Sequence, residues 1–149
     1  MATLFSTIED LGLIAVEDYK MAKLYEMDIN AFQKYCDGFL IKGVTDCQVL
    51  KNKLSFNLET REFDEDLTFE EQGILADYFA IEWMTREVQD SKQFQLKLKN
   101  SGSFQFNSES QNLKEKSVYL DKLRERVNQK ITQYELNIIA DKNTNADFW

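Results

Sequence analysis

The sequence predicts a mainly α-helical fold: a small helical bundle with a long C-terminal amphipathic helix, a short β-hairpin or extended segments, and an extended C-terminal tail. Three observations support this class. The 149 residues include no proline, so nothing in the chain forbids long uninterrupted helices. Apolar residues recur at helical spacing over most of the chain, and two segments begin with a capping box. The length suits one helical domain, residues 1–140, followed by a C-terminal interaction arm, residues 141–149.

The first third of the chain, from Leu4 to about Leu40, predicts two helices. The first has apolar residues that share one side: Leu13, Val16, Met21, Leu24 and Tyr25. In "EMDIN", Asp28 can cap a second helix, which carries Phe32, Tyr35, Phe39 and Leu40. Gly38 and Gly43 bracket the predicted end of this second helix, because glycine commonly follows the last helical turn.

The segment "KLSFNLETREFD" changes period from helical to alternating. Leu54, Phe56 and Leu58 alternate with polar residues, and Phe63 resumes the apolar pattern. This alternation predicts a short strand or hairpin, with an extended loop pinned by its apolar side chains as the alternative.

The strongest local signal is "DLTFEEQGILADYFAIEWMTREVQ". Thr68 and Glu71 form a capping box, so a helix is expected to begin at Thr68 or Phe69. Its apolar residues, among them Trp83, cover more than the stripe of about 100° that a surface helix needs. The helix should therefore be buried on more than one side, either by neighbouring helices or by another subunit.

The next run, "SKQFQLKLKNSGSFQFNSESQ", allows two interpretations. Phe94, Leu96 and Leu98 alternate before the turn "NSGS", and Phe104 and Phe106 alternate after it, which is typical of a hairpin. Continuation of the preceding helix to about Lys99 is the alternative. Ser108 and Gln111 then predict the start of a last helix with one narrow apolar stripe against the protein. That stripe comprises Leu113, Leu120, Leu123, Val127, Ile131, Tyr134 and Ile138.

Composition argues against several classes of function. The chain has no histidine, and the acidic run "EFDEDLTFEE" lacks the spacing and the glycine of a calcium loop, so no enzyme, metal or cofactor is expected. Cys36 and Cys47 lack metal-site spacing and are expected to be reduced thiols. A net charge of -8 disfavours sequence-specific nucleic-acid binding, and no apolar run approaches the roughly 20 residues of a membrane span.

The chain ends "KNTNADFW", where two aromatic residues follow a polar stretch. Phe148 and Trp149 on such a tether suit docking in a pocket, because buried aromatic side chains contribute much of an interface's energy. We expect Trp149 to contact either the core of its own subunit or an adjacent subunit or other partner. In the second case, deletion of residues 145–149 should weaken assembly and leave the fold intact. The candidate partner-binding residues are Phe148, Trp149, Phe104, Phe106 and Trp83.

Two segments together resemble a known family: "FDEDLTFEEQGILADYFAIEWMTREV" and "FQFNSESQNLKEKSVYLDKLRERVNQKITQYEL". Their order of D-L-T-x-x-E, I-L-A, E-W and N-L-K-E-K motifs is similar to the small helical neck proteins of tailed bacteriophages, the head-to-tail connector or adaptor proteins. The resemblance covers about Leu54 to Leu136 and consists of packing motifs without a catalytic signature.

The resemblance implies a helical subunit of a virion that assembles as a homo-oligomeric ring, of twelve copies, beneath the portal. Its partners would be the portal protein and neck or tail proteins, and genomic DNA would pass through the ring. Assembly would take place in the host cytoplasm. An acidic chain suits a wall past which DNA slides, since it does not bind phosphate.

Two other functions also fit the sequence. One is a tail completion or terminator protein, which favours six-fold symmetry and more β structure. The other, from a different class, is a small acidic regulatory protein that binds a basic host partner, in which case the acids should cluster on one exposed face.

Overall fold

In a computed structural model of the protein, residues 2–16, 28–101 and 105–146 are described. They form four α-helices: α1 (Phe5–Ala15), α2 (Ile29–Asp46), α3 (Phe69–Ser101) and α4 (Gln105–Ala146). A short 3-10 helix (Gln48–Leu50) follows α2, and strands β1 (Phe56–Asn57) and β2 (Glu62–Phe63) form an antiparallel pair. The prediction of a mainly helical bundle with a short hairpin is confirmed.

Helix α3 is the centre of the bundle, because α1, α2 and α4 all pack against it. This arrangement explains the wide apolar surface of α3, because neighbouring helices of the same subunit bury it. Of the two alternatives that the sequence allowed, burial by neighbouring helices is the one observed. The indole of Trp83 is 1% exposed. Around it lie three aromatic rings of α2, with centroids 5.4 to 6.3 Å from that of Trp83; they belong to Phe32, Tyr35 and Phe39.

Two glycines allow helices to approach α3 closely. A Cβ atom on Gly12 of α1 would lie 2.3 Å from Cδ1 of Phe79 and 2.9 Å from the carbonyl oxygen of Ala76. A Cβ atom on Gly43 of α2 would lie 3.2 Å from the backbone nitrogen of Phe79. Because backbone atoms of α3 cannot move aside as a flexible side chain can, a larger residue would push either helix away.

The two helix starts that capping residues predicted before residue 100, those of α2 and α3, are confirmed. Oδ1 of Asp28 accepts a hydrogen bond from the backbone nitrogen of Ala31 at 2.7 Å and caps α2. At the start of α3, the Thr68 hydroxyl accepts from the Glu71 nitrogen at 3.2 Å, and the Glu71 carboxylate accepts from the Thr68 nitrogen at 2.9 Å. This reciprocal pair is a complete capping box.

The N-terminal segment is joined to the β-hairpin. The Phe63 nitrogen donates to the carbonyl oxygen of Thr3 at 2.7 Å, and the Phe5 nitrogen donates to that of Arg61 at 2.9 Å. The Thr3 hydroxyl also accepts from the Leu67 nitrogen at 2.9 Å. Arg61 lies between the strands with φ of 55°, in the left-handed region. These bonds hold the hairpin against the start of α1.

Several predicted boundaries are wrong. Gly38 and Gly43 do not end α2, which continues to Asp46. The second hairpin, proposed for the alternation around Phe94, does not form because α3 continues to Ser101, as the alternative interpretation held. The capping box of Ser108 and Gln111 fails as well, since α4 already begins at Gln105.

Packing between α3 and α4 accounts for the continued helix. The hydroxyl of Ser91 accepts from Nζ of Lys116 at 2.8 Å, and Nε2 of Gln95 lies 2.5 Å from the Ser110 hydroxyl. These contacts join two long antiparallel helices. Packing against α4 therefore stabilises a helix in this segment more than the alternating apolar pattern favours a strand. At the other end, α4 continues to Ala146, so the prediction of an extended tail is wrong for residues 141–146.

Candidate interaction surfaces

The junction of α3 and α4 is fixed by the buried carboxylate of Glu71. Its Oε2 accepts from Nζ of Lys53 at 2.7 Å and from the Tyr134 hydroxyl at 2.6 Å. Burial alone would raise the pKa of Glu71, but the hydrogen bonds from Lys53, Tyr134 and the Thr68 nitrogen outweigh burial and lower this pKa to about 2. The carboxylate is thus charged at neutral pH and anchors Tyr134 of α4 at the start of α3.

Beyond this anchor, α4 leaves the bundle. Residues 135–146, which we call the α4 extension, cover about 18 Å at 1.5 Å per residue. Asn137 still donates to Oε1 of Glu70 at 3.3 Å. Every side chain described in the extension, residues 135–143, is exposed to solvent. The extension therefore projects past the first turn of α3.

The α4 extension is apolar on two sides. With about 100° between successive residues, Leu136 and Ile139 lie opposite the side that carries Tyr134, whereas Ile138 continues that side. Leu136 and Ile139 are each 54% exposed, and Ile138 is 37% exposed. A helix with apolar side chains on opposite sides is typical of one that is surrounded by protein. The extension is thus a candidate interaction surface.

A second candidate surface lies on the outer side of α2. A groove of about 580 Å³, which we call the α2 groove, runs between α2 and the β-hairpin. Its apolar residues are Ile41 and Leu58, and Leu58 is 55% exposed. The other residues that line it are Asn30, Gln33, Lys34, Asp37, Gly38 and Arg61.

Arg61 supports one wall of the α2 groove. Its Nη2 donates to Oε1 of Glu9 at 2.9 Å and to Oδ1 of Asp37 at 2.8 Å, while its Nε donates to Oδ2 of Asp37 at 2.8 Å. Burial and the adjacent Asp37 raise the pKa of Glu9 to about 9, so Glu9 is protonated at neutral pH. The network joins α1, α2 and the hairpin and fixes the wall of the groove.

A second pair of acids joins α2 to α3. Glu82 of α3 is buried, and its Oε2 lies 3.6 Å from Nζ of Lys42. Burial and a hydrogen bond with Asp46 raise the pKa of Glu82 to about 7. The carboxyl group of Glu82 therefore gains or loses its proton near pH 7.

The five residues singled out from the sequence have different outcomes. Trp83 is in the core and touches residues of its own subunit, so it offers no surface to a partner. Phe104, Phe148 and Trp149 lie outside the described residues, and so does the side chain of Phe106. Their proposed roles stay predictions.

Sequence reasoning missed the α4 extension and the α2 groove. For the extension a signal existed: after Tyr134 the narrow stripe gives way to apolar residues at 136, 138 and 139, which no single helical face can hold. No local signal in the sequence was sufficient to predict the groove. A glycine such as Gly38 commonly marks the end of a helix, and only the full length of α2 shows that it lies within one.

Comparisons of the chain with models of protein families, with curated proteins and with solved structures find no match. Within residues 2–16, 28–101 and 105–146, no group of acidic and cysteine side chains is arranged to hold a metal ion. In the same part of the chain, none of the helices combines the length and the apolar character that a membrane crossing requires. The α4 extension and the α2 groove are two surfaces on which a functional proposal can rest.

Proposed function

We propose that this chain is a structural connector of a bacteriophage neck, which forms a ring between the portal and the tail and lines the passage for DNA. The α4 extension is the observation that carries the proposal. It leaves the bundle with Leu136 and Ile139 on one side and Ile138 on the other, a pattern that favours contact with more than one neighbouring surface.

Ring assembly requires two different complementary surfaces on each subunit, since a ring is built from head-to-tail contacts. The α4 extension and the α2 groove are two such surfaces, and they differ in shape and composition. The resemblance to neck proteins supports the same function independently. Two of its motifs, the D-L-T-x-x-E helix start and the E-W helix, belong to the capping box and core of α3.

The other functions have less support. A terminator protein usually has more β structure, whereas the described residues form strands only at residues 56–57 and 62–63. For an acidic regulator, the acids should cluster on one exposed face. Four acids are instead buried, namely Glu9, Glu71, Asp77 and Glu82, and Asp77 contacts Arg126 at 3.1 Å and Lys130 at 2.9 Å.

The test is the symmetry of the purified full-length protein, alone and mixed with the portal protein, seen in electron-microscope projections. We expect rings of twelve subunits, whose mass light scattering would verify. A protein that stays monomeric with and without portal would contradict the proposal, and a six-fold ring would favour the terminator alternative.

Three variants connect assembly to particular residues. The double variant Leu136→Asp, Ile139→Asp should reduce the ring fraction, because it places charges on an apolar side of the extension. Deletion of residues 145–149 tests the terminal aromatics separately. Val118→Asp is the matched control, since Val118 is also exposed on α4 but lies on the part that packs along α3.

A further inference from the structure

Gly38 is not needed for packing within the part of its subunit that the structure describes. It lies within α2 and is exposed, and a Cβ atom built on it would meet no heavy atom of the described residues within 4 Å. Glycine inside a helix weakens the helix relative to alanine, because it loses more backbone entropy on folding. Gly12 and Gly43 are explained by close helix contacts within the subunit, whereas Gly38 is not.

The surroundings of Gly38 provide a place for a helix. Gly38 forms part of the floor of the α2 groove, with Ile41 on its own helix and the exposed Leu58 from the hairpin. In this molecule α1 and α2 each approach α3 where a glycine removes the side chain from the contact. A third glycine on an outer helical face offers the same close approach to a helix from outside.

We propose that the α2 groove receives the α4 extension of a second copy of this chain, with Gly38 as the point of closest approach. This inference rests on the proposed function, because it supplies the two complementary surfaces of a head-to-tail ring.

The extension of the same subunit runs away from Gly38. Gly38 precedes Phe39, whose ring lies against Trp83, and Trp83 is about 18 Å along α3 from Glu71. From the anchor at Glu71 and Tyr134, the extension runs in the opposite direction as part of one continuous helix. Residue 140 is about 9 Å beyond that anchor, so the extension lies on the side of the anchor away from Gly38.

Charge and composition also suit this occupant. The groove has Lys34 and Arg61 against one acid, Asp37. The extension has Glu135 and Asp141 against one base, Lys142. The two surfaces thus carry opposite net charge, and each contributes exposed apolar side chains, so their contact buries apolar area with favourable charge pairing.

The decisive experiment compares the oligomer and the subunit stability of wild type, Gly38→Ala and Gly38→Leu. Alanine should raise the melting temperature slightly, since it favours the helix, and yet weaken assembly. Leucine, which occupies more of the groove, should weaken assembly about tenfold or more. The assembly constant is measured by analytical ultracentrifugation, and the melting temperature by circular dichroism at a concentration where subunits are separate.

A cross-link identifies the occupant. One protein carrying Leu58→Cys and another carrying Ile139→Cys are mixed and treated with a short bismaleimide. The native thiols of Cys36 and Cys47 are buried, and wild type treated with the same reagent is the background control. We expect covalent dimers in the mixture at a rate well above that of either protein alone.

The outcomes separate this inference from the proposed function. If wild type forms rings and both Gly38 variants assemble as well as wild type, the proposed occupant of the α2 groove is wrong and the connector function is supported. If assembly depends on Gly38 but gives no ring and no portal complex, the proposed occupant is supported and the connector function is wrong. A wild type that remains monomeric overturns both.

Discussion

The carboxylate of Glu71 should contribute a large share of the stability of this subunit, and Glu71→Gln tests how much. The pKa of Glu71 falls from 4.5 to about 2 in the folded protein, a change of about 2.5 units. At 1.36 kcal/mol per unit, this shift corresponds to about 3 kcal/mol of free energy of unfolding. Because the folded pKa is the lower one, the contribution is present above pH 4.5 and is lost as the pH falls towards 2.

Glutamine keeps the size of the side chain and can still accept from the Thr68 nitrogen, but it carries no charge for Lys53 and Tyr134. We therefore expect Glu71→Gln to lower the free energy of unfolding by about 3 kcal/mol at pH 7, measured by urea denaturation followed at 222 nm. The difference between wild type and variant should shrink as the pH falls from 5 to 2.

The control is Glu70→Gln, the neighbouring acid of the same helical turn. Glu70 is exposed, so its loss should change the free energy of unfolding by no more than about 0.5 kcal/mol. A Glu71→Gln effect as small as that of Glu70→Gln, or one that does not change with pH, would refute the account of Glu71 as an anchor.

Three further predictions concern the interior of the bundle. Gly12→Ala should lower the free energy of unfolding by about 1–3 kcal/mol in the same urea assay, because the added Cβ would lie 2.3 Å from Phe79; no loss would mean that α1 can shift. Glu82→Gln should remove part of the decrease in stability between pH 4.5 and 7, because the raised pKa of Glu82 makes the folded state hold a proton over that range. Urea denaturation at several pH values measures the free energy of unfolding of both proteins. If this free energy changed with pH in the same way for variant and wild type, the prediction would be contradicted. Finally, burial raises the pKa of Cys36 to about 12 and that of Cys47 to about 11, so both thiols should react with Ellman's reagent only after unfolding.

Local signals predicted the parts of the fold that local chemistry determines. Asp28 and the Thr68–Glu71 pair mark helix starts because the capping side chain lies within three residues of the donor it satisfies. The wide apolar surface of α3 likewise predicted burial on several sides, since it needs only the helical period to be recognised. The sequence left open whether neighbours or another subunit cover it.

Features that depend on a distant partner were not predictable in the same way. The alternation at Phe94 and Leu96 indicated a strand, but helix α4, which follows later in the chain, pairs with this part of α3. Gly38 resembled a helix end because glycine has that role in many helices; only the position of α2 in three dimensions shows open space above it. The α2 groove also requires Leu58 from the hairpin, twenty residues further along.

The central position of α3 has a consequence for the order in which the chain folds during synthesis. Helices α1 and α2 are made first, but the surface on which both pack belongs to α3, which ends at residue 101 of 149. Until then the aromatic rings of α2 lack Trp83, and the hairpin is held by the N-terminal segment and by the bonds of Arg61 with Glu9 and Asp37. A ribosome-bound fragment that stops before α3 should therefore expose its apolar side chains and be sensitive to proteases. One that includes α3 should gain protection for the entire N-terminal half in a single step.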